Sequence, residues 1–231
     1  MIRQAQPELM DDPALDGKAH AHALGMLNRV NRMLRVHHRL YTCIGQLGGW
    51  GEVSILDLGT GGGGFLGYLS DRMEDKCDHP CLVGLDLSAF AIRCAQRWHS
   101  GAIRWLVADA RDIPLADNSI DIVTCSLFLH HFNEVDVVRI LREAARVARL
   151  GIVVDDLSRS RLALGLTWLG TRVLSRSHVF HVDGPRSVHA AFRQQELAGL
   201  ARRAGLEGVR LEKRFPFRLI LIWKKPENQN V

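Results

Sequence analysis

The stretch Ile55-Leu56-Asp57-Leu58-Gly59-Thr60-Gly61-Gly62-Gly63-Gly64-Phe65 decides how the rest of this chain reads. It predicts a short buried strand, a glycine turn, and a helix starting near Gly62. Glycine has no Cβ and accepts positive φ, so a ligand can come close to the backbone at such a turn. The helix behind it aims unpaired N–H groups at the same place. A nucleotide-like cofactor at the end of this strand is the expectation.

Two patterns compete for the loop. Gly59, Gly61 and Gly64 satisfy G-x-G-x-x-G, and Asp86 ends the next apolar run, where an acid would bind ribose. That pairing describes an NAD-dependent oxidoreductase. Asp57, Gly59, Gly61 and Gly63 also satisfy acid-x-Gly-x-Gly-x-Gly. An acid inside the first strand sets negative charge near a pyrophosphate. It suits a positively charged ligand with an amino group, such as S-adenosylmethionine.

The downstream strands separate the two. Cys81–Asp86 reads as a second buried strand ending in an acid, Leu106–Ala110 as a third carrying Asp109, and Ile120–Ser126 as a fourth. Leu127-Phe128-Leu129-His130-His131-Phe132 follows it. In these motifs and their order the chain resembles the class I S-adenosylmethionine-dependent methyltransferases, in particular the small-molecule, type 11-like branch, closely over about residues 50–157. The resemblance implies that Gly59, Thr60 and Gly61, with Gly63 in the same loop, cradle the methionine part of the cofactor. It implies Asp86, followed by Leu87, at the ribose hydroxyls, Asp109 and Ala110 at the adenine, and Ser126 with Leu127 on the far side. Asp57 is expected to act through the loop or a water. The fold implied is an α/β, Rossmann-like, seven-stranded, mostly parallel sheet with a final antiparallel strand, helices on both faces and an N-terminal helical lid.

The rest of the chain fits this frame. Residues 1–17 read as a flexible tail, since Pro7 and Pro13 break helices. Residues 18–48 carry Leu24, Leu27, Val30, Leu34 and Ile44 on one face and read as two lid helices. Residues 49–231 form the methyltransferase domain. Ser88 and Asn133 are N-cap candidates, and after Asn133 the residues Val135, Val138, Leu141, Ala145 and Ala148 recur at helical steps. Residues 158–193 are too long for a simple crossover and read as an apolar, substrate-covering insert. Gly208–Phe215 and Phe217–Trp223 would pair antiparallel at the sheet edge.

Composition limits the function classes. The 231 residues suffice for one α/β domain, with nearly half the side chains apolar and a net charge of +5. The arginines at 139, 142, 146 and 149 read as a solvated helix face, so nucleic acid is not an expected partner. Nor is stable membrane insertion, since no apolar run reaches spanning length. A cytoplasmic monomer or homodimer is the default. Cys77, His79 and Cys81 have no second pair at zinc spacing, and no metal is expected.

Methyl transfer from a sulfonium is an in-line displacement for which positioning supplies much of the acceleration. A hydroxyl acceptor must also lose a proton, and a histidine of near-neutral pKa can take it. His130 is the first candidate base, His131 a loop support beside it. His181 is another candidate, because on an extended segment it would share a face with Asp183. The expected activity is O-methylation of a hydrophobic small molecule, a phenolic or polyketide-like hydroxyl of secondary metabolism. Carbon methylation of a quinone-type ring is the alternative, and a non-catalytic adenosylmethionine-binding protein keeps the same loop.

Overall fold

The computed structural model describes residues 1–12, 14–50, 52–73 and 81–226. Seven strands form one sheet in the order β3-β2-β1-β4-β5-β7-β6. They are β1 (Ser54–Leu58), β2 (Cys81–Asp86), β3 (Ile103–Val107), β4 (Ile120–Ser126), β5 (Ala148–Leu157), β6 (Arg210–Arg214) and β7 (Arg218–Lys224). β7 alone runs antiparallel to its neighbours. The third strand lies earlier than Leu106–Ala110, so Asp109 and Ala110 stand past its end.

Alternation along the strands assigns the two faces. Ile55, Leu82, Ile122 and Val153 pack under α2 (Val36–Gly48) and α3 (Gly64–Met73). Leu56, Leu58, Val83, Val123 and Val154 pack against α5 (Glu134–Val147) and α8 (Gln194–Arg203). On α5 the buried stripe runs through Val137, Val138, Leu141 and Ala144, and Val135 is exposed. The sequence reading therefore rotated this stripe at its first turn. Ser88 and Asn133 cap α4 (Ala89–Trp98) and α5 by accepting from Ala91 N and Asp136 N.

Chain order reverses between β1 and β4, both bonded to each other at Leu58 and Cys125. In open α/β sheets ligands bind beyond the strand ends at such a reversal. Two segments cover that edge. One is α1 (Gly17–Met33), capped by Asp16. The other is the 158–193 insert, which folds as α6 (Arg161–Leu174) and α7 (His178–Ala190). α2 is fastened to the sheet beneath. Buried Asp155 on β5 accepts from Arg39 of α2 at 3.0 Å and from Arg218 of β7 at 2.5 Å.

Residues 1–12 are not a loose tail. Gln4 N donates to the His189 carbonyl at 3.1 Å, and Arg3 donates to the carbonyls of Ala190, His130 and Phe132. Leu9 N and Met10 N donate to the Asp183 carboxylate at 2.7 and 3.0 Å, closing the 3-10 turn Leu9–Asp11. Helix-breaking prolines were read as disorder, but an extended segment can also be ordered by partners distant in sequence. Residues 74–80, with Cys77 and His79, lie outside the described residues.

Candidate active site

A cavity of about 1040 Å³ opens at the strand reversal. Its floor contains Asp57, Gly59, Thr60, Gly61, Asp86, Leu87, Asp109, Ala110, Ser126 and Leu127, with His130 and His131 beside them. Of the residues singled out in the sequence, Gly63 and His181 do not line it. A Cβ on Gly63 would run into the Trp105 ring, so this glycine serves helix–strand packing.

The turn has a physical reason at each end. Gly59 has φ +64°, and a Cβ there would collide with the Phe128 ring. Gly61 has φ +55°, and a Cβ there would meet only Leu24, at 3.4 Å. Its front therefore stays open to the cavity. Gly61 N donates to Asp86 at 2.8 Å, as does Ser88 N, so Asp86 braces the glycine loop from the end of β2. Burial pushes Asp86 up from its ordinary value, and these two N–H donors oppose the push. Asp57 is raised to about 7, chiefly by burial, against the pull of Thr60 and with a further push from Asp86. Asp109 is gripped by the Arg111 guanidinium at 2.7 to 3.0 Å and held below the carboxylate range by it.

The floor fits a cationic, amino-bearing nucleoside cofactor. Ser126 Oγ and Asn28 Oδ1 are buried with no hydrogen-bond partner among the described residues. Buried polar atoms in native proteins are normally paired. Both residues line the cavity, and the buried Asp57, half ionised near neutral pH, would gain from a positive charge nearby.

The other end of the cavity is built from segments far apart in the chain. His130 is 2% exposed, and its Nδ1 lies 2.6 Å from Asp156 on β5. Its backbone N also donates to Asp156, at 3.1 Å. Its Nε2 lies 3.5 Å from the carboxylate of Glu8, which also accepts from the Ser187 hydroxyl of α7. Burial alone would push the His130 imidazole down. Asp156 and Glu8 outweigh it and raise His130 to about 10. A neutral free base is therefore not its resting form. His131 stacks on His130 at 4.5 Å between ring centroids, with Nδ1 2.9 Å from Asp11. Burial and His130 lower it, but Asp11 and Glu8 prevail and raise it.

His181 and Asp183 are not partners. Both lie in α7, where a spacing of two residues separates faces instead of joining them. His181 Nε2 lies 2.6 Å from the Ser175 carbonyl oxygen, and Asp183 holds the Leu9–Asp11 turn. Gly184 and Pro185 continue the same helix. The sequence reading missed Glu8, Asn28 and Asp156. Asp156 left a trace, as one of two adjacent acids at the end of an apolar strand. Glu8 left none.

Strand order, glycine loop and acids at successive strand ends define a Rossmann-like domain built for an adenosine cofactor. A model of the methyltransferase domain family matches residues 55–151. The demethylmenaquinone methyltransferase of Roseiflexus castenholzii is 30% identical over 167 residues, covering 67% of this chain and 68% of that protein. The malonyl-[acyl-carrier protein] O-methyltransferase of a Marinomonas species is 30% identical over 148 residues, 62% of this chain. The chain spans only about half that protein's length, 52%. Among solved structures, the plantazolicin methyltransferase BpumL in complex with SAH superposes with a TM-score of 0.69. It is 17% identical, with 94% of this chain and 92% of that one covered. This chain belongs to the class I S-adenosylmethionine-dependent methyltransferases. Its cofactor is S-adenosylmethionine.

Proposed function

We propose that the chain transfers a methyl group to an oxygen of a hydrophobic small molecule, a phenolic or polyketide-like hydroxyl. The carrying observation is the cavity, which runs from the glycine loop to an apolar wall. Leu166 and Leu174 of α6, Val179 and Phe180 of α7, and Phe217 before β7 form that wall. Bound S-adenosylmethionine supplies an activated methyl group. Thr60, Gly61, Asp86, Leu87, Ser126 and Leu127 are proposed to hold it, with Asp109 and Ala110 at the adenine.

His130 acts here as a fixed positive charge, not as a free base. Its protonated ring, oriented by Asp156, would stabilise an acceptor oxygen as that oxygen loses its proton. Preorganised charge of this kind is worth ~10²–10³-fold in rate. Glu8 is the carboxylate nearest that ring and is the candidate proton acceptor. His131 supports His130 through ring stacking.

Carbon methylation of a quinone-type ring is the second reading. The match to a demethylmenaquinone methyltransferase over 68% of its length favours it. An acceptor screen with isotopically labelled S-adenosylmethionine tests both, with product mass and NMR locating the methyl group. Label on ring carbon overturns the O-methylation reading. No turnover with phenols, polyketide-like hydroxyls or quinols, despite tight adenosylhomocysteine binding, overturns both.

A further inference from the structure

The side chains at the acceptor end form an arrangement that acid–base catalysis alone does not require. Glu8, His130 and His131 each offer one donor atom, and these atoms all lie within 4.8 Å of one another. Every one has an outer partner that fixes it. Asp156 holds Nδ1 of His130, Asp11 holds Nδ1 of His131, and Ser187 donates to Glu8. With each Nδ1–H given to a carboxylate, an Nε2 that gives up its proton to solvent as the ion binds can ligate it. Metal-binding histidines are oriented by this same carboxylate contact.

We propose that Glu8, His130 and His131 bind a divalent transition-metal ion, such as zinc or iron(II), on the wall of the acceptor cavity. Two imidazoles and one carboxylate suit such ions, whereas magnesium and calcium prefer oxygen alone. Three protein ligands leave coordination positions open, and all three residues line the cavity. Bonds of about 2.0–2.2 Å place ligand atoms roughly 3.4 Å apart, so the site closes by about an ångström as it fills.

Charge points the same way. With neutral rings the cluster holds the three carboxylates of Glu8, Asp11 and Asp156, and Asp183 lies close by on α7. Arg218 is paired with Asp155, and Arg3 and Arg186 keep their charges nearby, so the carboxylates still outnumber the free cations. One divalent ion replaces the protons that otherwise balance the cluster. The proposal rests on the oxygen-acceptor reading and deepens it: the ion takes over the roles given above to the His130 charge and to Glu8, its open positions would hold the substrate oxygen, and the hydroxyl proton would pass to solvent.

The full chain, purified without a histidine tag and stripped with chelator, is titrated with cobalt(II) and separately with zinc(II). One equivalent is expected at micromolar affinity or tighter. Its cobalt spectrum should show visible bands of nitrogen and oxygen ligation, without thiolate charge transfer. Glu8→Gln and His131→Ala should each weaken zinc binding at least tenfold, with thermal unfolding confirming a folded chain. His131 is the most exposed of the three, which makes its variant the safest. Asp11→Asn, an outer change, should cost ~10–100-fold. No stoichiometric metal, thiolate bands, or less than a tenfold loss in the variants overturns the site. Adenosylhomocysteine binding is measured on the same stripped protein. If it persists without metal binding, only the metal site fails; if it is absent, the cofactor reading fails.

Discussion

The nucleotide end and the acceptor end of one cavity are built in opposite ways. At the nucleotide end most functional groups sit within a few residues of a strand end, and several of their partners are local. Asp86 accepts from Ser88, and Asp109 pairs with Arg111. At the acceptor end the groups come from four distant segments. Glu8, His130, Asp156 and Ser187 meet only when the N-terminal segment, β4, β5 and α7 have all docked. Strand-end chemistry therefore survives a change of covering segments, whereas acceptor chemistry depends on the whole covering.

The contrast predicts unequal responses to mutation. His130→Ala leaves Asp156 and Glu8 buried without their partner. It should lower unfolding stability by about 3–5 kcal/mol, read by denaturant titration. Asp109→Asn breaks a half-exposed pair and should cost less than about 1 kcal/mol. Equal losses would break the comparison. Next in size, Asp86→Ala should weaken adenosylhomocysteine binding by about 1.5–3 kcal/mol in calorimetry, since a charged acceptor is lost. Normal binding would show that Asp86 only braces the loop.

Gly61→Ala forces a side chain into left-handed backbone and should cost about 1–2 kcal/mol of stability. The same change places a methyl at the cavity mouth, so cofactor affinity should fall with it. A variant with wild-type affinity would detach the loop from cofactor binding.

The remaining test is the pH dependence of Asp57, whose size rivals the loss expected for His130→Ala. Its folded pKa, about 7, lies above the ordinary 3.8. The folded chain therefore holds an extra proton between roughly pH 4 and 7, and stability falls as pH rises through that window. Asp57→Asn should remove this slope, leaving stability near pH 4 unchanged and raising the melting temperature at pH 8. Parallel melting curves for wild type and variant at the two pH values decide it.

How much was legible follows the same division. Glycines at fixed spacing, and acids ending apolar runs at Asp86 and Asp109, write local backbone requirements into consecutive residues. The sheet and the cavity floor could be read from them. Glu8 carries no such mark. Its role arises from Arg3 and Asp183 docking the N-terminal segment, and a segment that bonds only to distant residues has no period of its own. His181 and Asp183 misled for a related reason. Their spacing pairs them on a strand, but the segment is helix α7.

The fastening of Asp155 between Arg39 and Arg218 also limits how the molecule can open. α2 is clamped to the sheet from below, while α1 joins it through Arg35, whose φ of +55° makes a sharp joint. Backbone amides of α1 should exchange with heavy water faster than those of α2, although the two helices are neighbours in sequence.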